Sequence, residues 1–226
     1  MKCLFAVVFV LVNLFVIAGC TEVERTVAPE EEQEAAEGED SSPVIYKEGI
    51  YLVNLCIEPG RYRSEGFVKY FSILSGMEGA LIARGLEYQL SEDELDYIVR
   101  NAMPGDRSFV IDIDSSDYAF ETMGDGHWRL IDESYQPEVR TTFTEGTWIV
   151  GLEIEPGTYH TSDQVYYWAR LSGFRDTFAD AIDEELGRLD ESPDEEGTTV
   201  VIQHTDVGFF SMSSNWEEGI IWNKVD

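Results

Sequence analysis

Positive charge is scarce in this chain: 15 Lys and Arg stand against 45 Asp and Glu among 226 residues, a formal net charge of −30. Such a surface repels phosphate backbones, which excludes nucleic acid as a natural partner. Cysteine is scarce as well, with Cys3, Cys20 and Cys56 the whole set. The common catalytic signatures are missing. There is no G-x-S-x-G, and lysines only at 2, 47, 69 and 224 leave no S-x-x-K. His127, His160 and His204 have no zinc-pair spacing and form no H-E-x-x-H. No metal or cofactor is therefore expected, and no enzyme activity. Core material, by contrast, is plentiful: 43% hydrophobic and 12% aromatic residues exclude wholesale disorder.

The N-terminus opens with basic Met1-Lys2 and an apolar run, Cys3 to Ala18, broken only by Asn13. That run is shorter than the ~20 residues a comfortable membrane span requires, and it has the length of a signal-peptide core. The sequence Ile17-Ala18-Gly19-Cys20 that follows resembles the lipobox of bacterial lipoproteins. The resemblance implies cleavage between Gly19 and Cys20, removal of residues 1–19, and a diacylglyceryl group on the Cys20 thiol. The chain would then be held to a membrane by its lipid, on the extracytoplasmic side of a bacterial inner or outer membrane. Residues 20–46 carry nine acids and one base, Arg25, with scarcely a large apolar residue before Val44. This composition buries no core and extends by self-repulsion, so it reads as a disordered acidic tether.

The remainder is a repeat. Residues 48–76 and 145–173 superimpose without a gap, fourteen of 29 positions being identical, including I-E-P-G-x-Y and L-S-G. Ile111-Asp112-Ile113 through Phe120 meets Val200-Val201-Ile202 through Phe209, and Trp128 and Trp216 follow at similar distances. Two copies of one module account for most of the chain, at 47–132 and 144–226 with residues 133–143 joining them. Tyr51, Val53, Leu55 and Ile57, like Trp148, Val150, Leu152 and Ile154, alternate as in strands. Pro59-Gly60 and Pro156-Gly157 suit type II turns. The capping box Ser91-Glu92-Asp93-Glu94 with Leu95, Ile98, Val99 and Ala102 predicts a helix in the first copy, and Phe178 to Leu186 a shorter one in the second. The expected fold is mainly β: two tandem antiparallel modules, each a sandwich or partly open barrel with one inserted helix.

The pattern G-x-[WY]-x-V-x-x-x-I-x-P-G-x-Y, Y-W-A-R-L-S-G and T-D-x-x-F resembles a module of uncharacterised secreted proteins and lipoproteins from actinobacteria and other bacteria. Gly146–Tyr159, Tyr167–Gly173 and Thr205–Phe209 carry the likeness, and the first copy departs from it at Phe71-Ser72-Ile73. Members of that family often carry a cysteine pair that the resemblance links to a disulfide. Neither copy has those cysteines. The family brings an architecture and no chemistry.

The repeat also sorts candidate site residues. Polar residues present in both copies serve the shared fold, whereas those in one copy mark a surface position or a grafted site. Asp112-Ile113-Asp114 to Asp117 lacks the glycine and the last glutamate of a calcium loop, and Asp117, matched by Asp206, reads as a turn residue accepting backbone N–H bonds. The acidic run Asp190–Glu196 reads as a solvated loop. Cys56, matched by Glu153, is placed on the strand face opposite the core, as a small hydrophobe or a thiol open to oxidation. Tyr166 and Arg170, replaced by Lys69 and Ile73, together with Trp168 and His160, form the expected ligand surface for a glycan or envelope protein, unless Arg170 lies half-buried along the sheet. The functional expectation is a lipid-anchored, non-catalytic binding module of the cell envelope. Alternatives are an envelope hydrolase with an unrecognised site and a structural or accessory subunit of an envelope complex.

Overall fold

A computed structural model of the chain describes residues 44–76, 98–186, 197–213 and 219–226. The first module comprises β1 (Ile45–Tyr46), β2 (Gly49–Leu52), β3 (Gly60–Glu65), β4 (Tyr70–Leu74), β5 (Ile98–Ala102), β6 (Val110–Ile113), β7 (Ala119–Met123) and β8 (His127–Leu130). The second comprises β9 (Thr142–Thr144), β10 (Gly146–Ile149), β11 (Gly157–Thr161), β12 (Val165–Leu171), β13 (Ala181–Leu186), β14 (Thr198–Ile202), β15 (Gly208–Ser213) and β16 (Ile221–Lys224). Each module pairs two four-stranded antiparallel sheets. Their orders are β1-β8-β3-β6 and β2-β7-β4-β5 in the first, β9-β16-β11-β14 and β10-β15-β12-β13 in the second. Every strand of one module has its equivalent eight strands later.

Alternation along the strands sends one set of side chains between the two sheets. In the first module this core holds Tyr46, Tyr51, Tyr62, Phe71, Phe120 and Trp128. In the second it holds Phe143, Trp148, Tyr159, Trp168, Phe209 and Trp222. Trp128 meets Phe120 edge-on at 5.4 Å, and Trp222 meets Phe209 in the same way at 5.4 Å. Their indoles donate to Thr122 and Ser211. Trp222, not Trp216, is thus the counterpart of Trp128; Trp216 lies outside the described residues.

The repeated I-E-P-G-x-Y motif acquires a physical reason. The Tyr62 hydroxyl donates to the Glu58 carbonyl at 2.6 Å, and Tyr159 to that of Glu155 at 2.8 Å. Each buried phenol thereby closes the turn that precedes its own strand. The turns are not type II, however. Gly157 has φ of 153°, and Gly60 is not among the glycines of positive φ. The left-handed position comes earlier, at Asn54 (φ 66°) and Gly151 (φ 79°), residue types that tolerate it. This bend ends β2 and β10, so Leu55 does not continue the strand alternation and stands 81% exposed.

No helix occurs among the described residues. The expected helix of the first copy begins outside them, and its end is strand β5, paired with β4 from Phe71↔Ala102 to Leu74↔Ile98. The second is strand β13, paired with β12. Helix propensity favours these segments by only tenths of a kcal/mol per residue. The open edges of β4 and β12 offer a row of backbone hydrogen bonds instead. On β13 the acids also find donors: Glu184 accepts from the Tyr167 hydroxyl, and Glu185 from the Trp168 indole at 3.1 Å.

The modules are locked together. Arg63 of β3 donates to Glu153 at 2.8 Å and to the Thr147 carbonyl at 3.1 Å, both side chains being buried. The other Glu153 oxygen accepts from Tyr135 of the joining segment, and Glu153 also accepts the Ile149 N–H. Burial and the Glu153 carboxylate push the Tyr135 phenol well above its ordinary value. Around this network Val110 of β6 packs with Ile149, Ala169, Leu171, Phe174 and Phe210 of the second module. The backbones touch where Thr147 N–H donates to Ser108 O at 2.8 Å. A Cβ on Gly146, whose φ is 118°, would lie 2.5 Å from that same oxygen, so glycine is required there. The joining segment is shorter than 133–143, because β9 begins at Thr142.

Candidate functional site

The four residues expected to form a ligand surface do not converge. Trp168 faces the inter-sheet core, stacked on Phe209, and Arg170 grips Asp206 with bonds of 2.7 and 2.9 Å and reaches Asp183 at 3.2 Å. Those carboxylates hold the Arg170 guanidinium above its usual range. His160 belongs to the opposite sheet and bonds Thr199. Tyr166 packs partly buried at the module boundary. Of the two readings for Arg170, the half-buried one describes it. Gly19, Cys20 and the acidic run 190–196 lie outside the described residues.

Asp117 and Asp206 do what turn aspartates do: they accept N–H bonds from Asp114 and Gln203 at 2.8 and 2.7 Å. Each also neutralises an arginine, Arg100 in the first module and Arg170 in the second. Cys56 is partly buried against the first core, which corrects its placement on an outer face. Glu153, its counterpart, is the buried carboxylate of the interface.

What the fold does build is a cleft of about 520 Å³ between the modules. Phe71, Phe109, Phe210 and Phe178 line it, in a file of aromatic rings that crosses the boundary through the buried Tyr167. Phe71 meets Phe109 at 5.6 Å, Phe109 meets Phe210 at 5.7 Å, Phe210 meets Tyr167 at 5.9 Å, and Tyr167 meets Phe178 at 5.4 Å. Met103 also lines it, and Met103 and Phe178 are 70% and 72% exposed. Among the described residues, Arg100, Arg107 and Arg175 line the same cleft, together with the acid Asp176. Arg100 is fixed by Asp117, Arg107 by Glu145, and the exposed Arg175 by Asp114. Asp176 is turned to its own loop, accepting the N–H of Phe178 and Ala179. The size suits a small molecule with an apolar body.

Sequence reasoning missed this cleft because it searched the single-copy polar residues. The signal lay in single-copy aromatics: Phe210 stands where the first module has Glu121, and Phe109 where the second has Thr198.

The family model of the Rv1352-like extracellular domain matches residues 43–129 and again 140–217, and the chain belongs to that family. The second segment stops before β16, as the sequence alignment through Trp216 also does. No curated protein matches the chain.

Proposed function

We propose that this member of the Rv1352-like extracellular domain family is a lipid-anchored envelope protein that binds a ligand without transforming it. In this reading Cys20 carries the anchor, and the acidic stretch from Cys20 to Ser42 is the tether. The stretch ends before Val44, because Val44 and Tyr46 already pack in the first core. At about 3.3–3.6 Å per residue, a tether of some two dozen residues extends roughly 80 Å. Repulsion among its carboxylates, and from an anionic bilayer surface, favours that extension. The observation that carries the binding reading is the cleft between two modules whose relative position is held by the buried Arg63–Glu153–Tyr135 network. A fixed boundary presents a pre-formed surface, which limits the ordering cost of binding.

Two experiments test it. Palmitate labelling of the full chain is expected to disappear with Cys20→Ser; persistence of label overturns the anchor. A thioether and a disulfide cannot share one sulfur, so non-reducing peptide mapping that finds Cys20 in a disulfide overturns it as well. For binding, the purified mature chain is expected to retain an envelope protein or a glycan from extracts and glycan arrays. Retention of nothing counts against the binding unit.

A further inference from the structure

We infer that the cleft between the modules is a site for a small amphiphilic anion, with an apolar body on the aromatic rings and a single carboxylate or phosphate head at Arg175. The inference rests on the binding reading above and names the class of ligand.

Two observations lead to it. The first is the chemistry of the lining. The chain carries three acids for every base, yet among the described residues this cleft is lined by three arginines, two of them held by well-buried carboxylates and the third exposed, and by one aspartate. The aspartate is occupied by backbone N–H groups. A cationic ligand, which the aromatic rings could otherwise attract, would meet the exposed guanidinium of Arg175. The overall negative charge opposes an anion only at long range. At physiological ionic strength that field is screened within about 8 Å, so the exposed guanidinium beside the ligand's head decides.

The second observation is the unequal exposure of the arginines. Arg100 and Arg107 are 11% and 9% exposed and paired with well-buried carboxylates, so their charge is already neutralised and they keep their places. Arg100 also donates to the carbonyls of Asp112 and Arg175, tying the Arg175 loop to the first module. Arg175 is 62% exposed and pairs with Asp114 at 2.5 Å. An exposed pair contributes about 0–1 kcal/mol, so Arg175 exchanges Asp114 for a ligand's anion at little cost. Met103 and Phe178 stand largely exposed beside the same cleft, where an apolar chain would cover them.

The test uses the mature chain, with octanoate and the uncharged 1-octanol as probes in calorimetric titration. Octanoate is expected to bind at least about tenfold more tightly than octanol, the size of one charge-assisted hydrogen bond. Arg175→Gln is expected to bring octanoate down to the octanol level and leave octanol unchanged. Phe178→Ser and Met103→Ser, both at exposed positions, are expected to weaken the two probes alike, and the Met103 methyl resonance should shift on titration. Equal affinities for the two probes, or octanoate binding that survives Arg175→Gln, overturn the anionic site. Failure of both probes to bind overturns the amphiphile class. Retention of an envelope protein or glycan by the same preparation would then show that the broader binding reading survives without it.

Discussion

In the first module the turn aspartate Asp117 is neutralised by Arg100 from the edge strand β5; in the second, Asp206 is neutralised by Arg170 from the neighbouring strand β12. The two positions are linked by pairing, because Ile73, the equivalent of Arg170, lies directly opposite Arg100. The guanidinium has changed strands while its place in space is kept. The outer faces of the equivalent sheets differ in another way. Where the first module has Ser72 and Glu121, hydrogen-bonded at 3.3 Å, the second has Ala169 and Phe210, packed against Val110 of its neighbour. Equivalent strands therefore carry different faces according to what covers them, and a repeat keeps its charges by location more than by sequence position.

The largest effect should come from the more deeply buried of the charge pairs that span the modules among the described residues, Arg63–Glu153. Arg63→Met leaves Glu153 buried without its cation and is expected to cost about 3–5 kcal/mol. Urea unfolding should then split from one transition into two, because the modules lose their lock; one undisturbed transition would count against the coupling. Next come the turn pairs. Arg100→Leu and Arg170→Leu should each cost about 1.5–3 kcal/mol, since Asp117 and Asp206 are buried. The transplant Ile73→Arg with Arg100→Leu should recover a good part of the first loss, and no recovery would break the equivalence of the two sites. Smaller is the glycine contrast. Gly146→Ala drives a Cβ against the Ser108 carbonyl and should cost about 1–3 kcal/mol. Gly49→Ala at the equivalent position meets only the Tyr51 ring at 3.3 Å and should cost clearly less in the same unfolding assay.

The smallest effect concerns pH. Burial, helped by the Glu155 and Asp226 carboxylates, pushes the Tyr159 hydroxyl up to about 12, and burial raises its equivalent Tyr62 as well. A phenol whose folded pKa exceeds its unfolded value near 10 holds more protons folded than unfolded in between. Its contribution is therefore complete below pH 10 and fades as pH rises through about 12. The urea midpoint should fall over that interval, and NMR titration should find both tyrosines still protonated just above pH 10. Ionisation of either at its ordinary value would separate the two modules on this point.

Much of the architecture was legible before any coordinates. The ungapped match of 48–76 with 145–173 pointed to paired modules, and period-two alternation pointed to strands; both sandwiches follow that reading. The role of Asp117 was legible from its recurrence at Asp206. The edge strands were not, because a capping box and 3.6-residue spacing are local signals, whereas the pairing of Ile98–Ala102 with β4 is a long-range one. Nor was the cleft. Phe109 and Phe210 come from different modules, and their meeting at 5.7 Å depends on how the modules dock.

By itself the sequence determined the number of modules, the strand content, the turn aspartates and the excess of negative charge, since each is written in local pattern or in internal repetition. Tertiary structure alone decided that β5 and β13 are strands, that Glu153 is buried on Arg63, that Trp222 takes the place of Trp128, and that arginines gather at one boundary. Those outcomes depend on which surface reaches which partner. Backbone hydrogen bonds at an open sheet edge outweigh the tenths of a kcal/mol by which local preference chooses, and a carboxylate buried between two modules requires the cation that faces it.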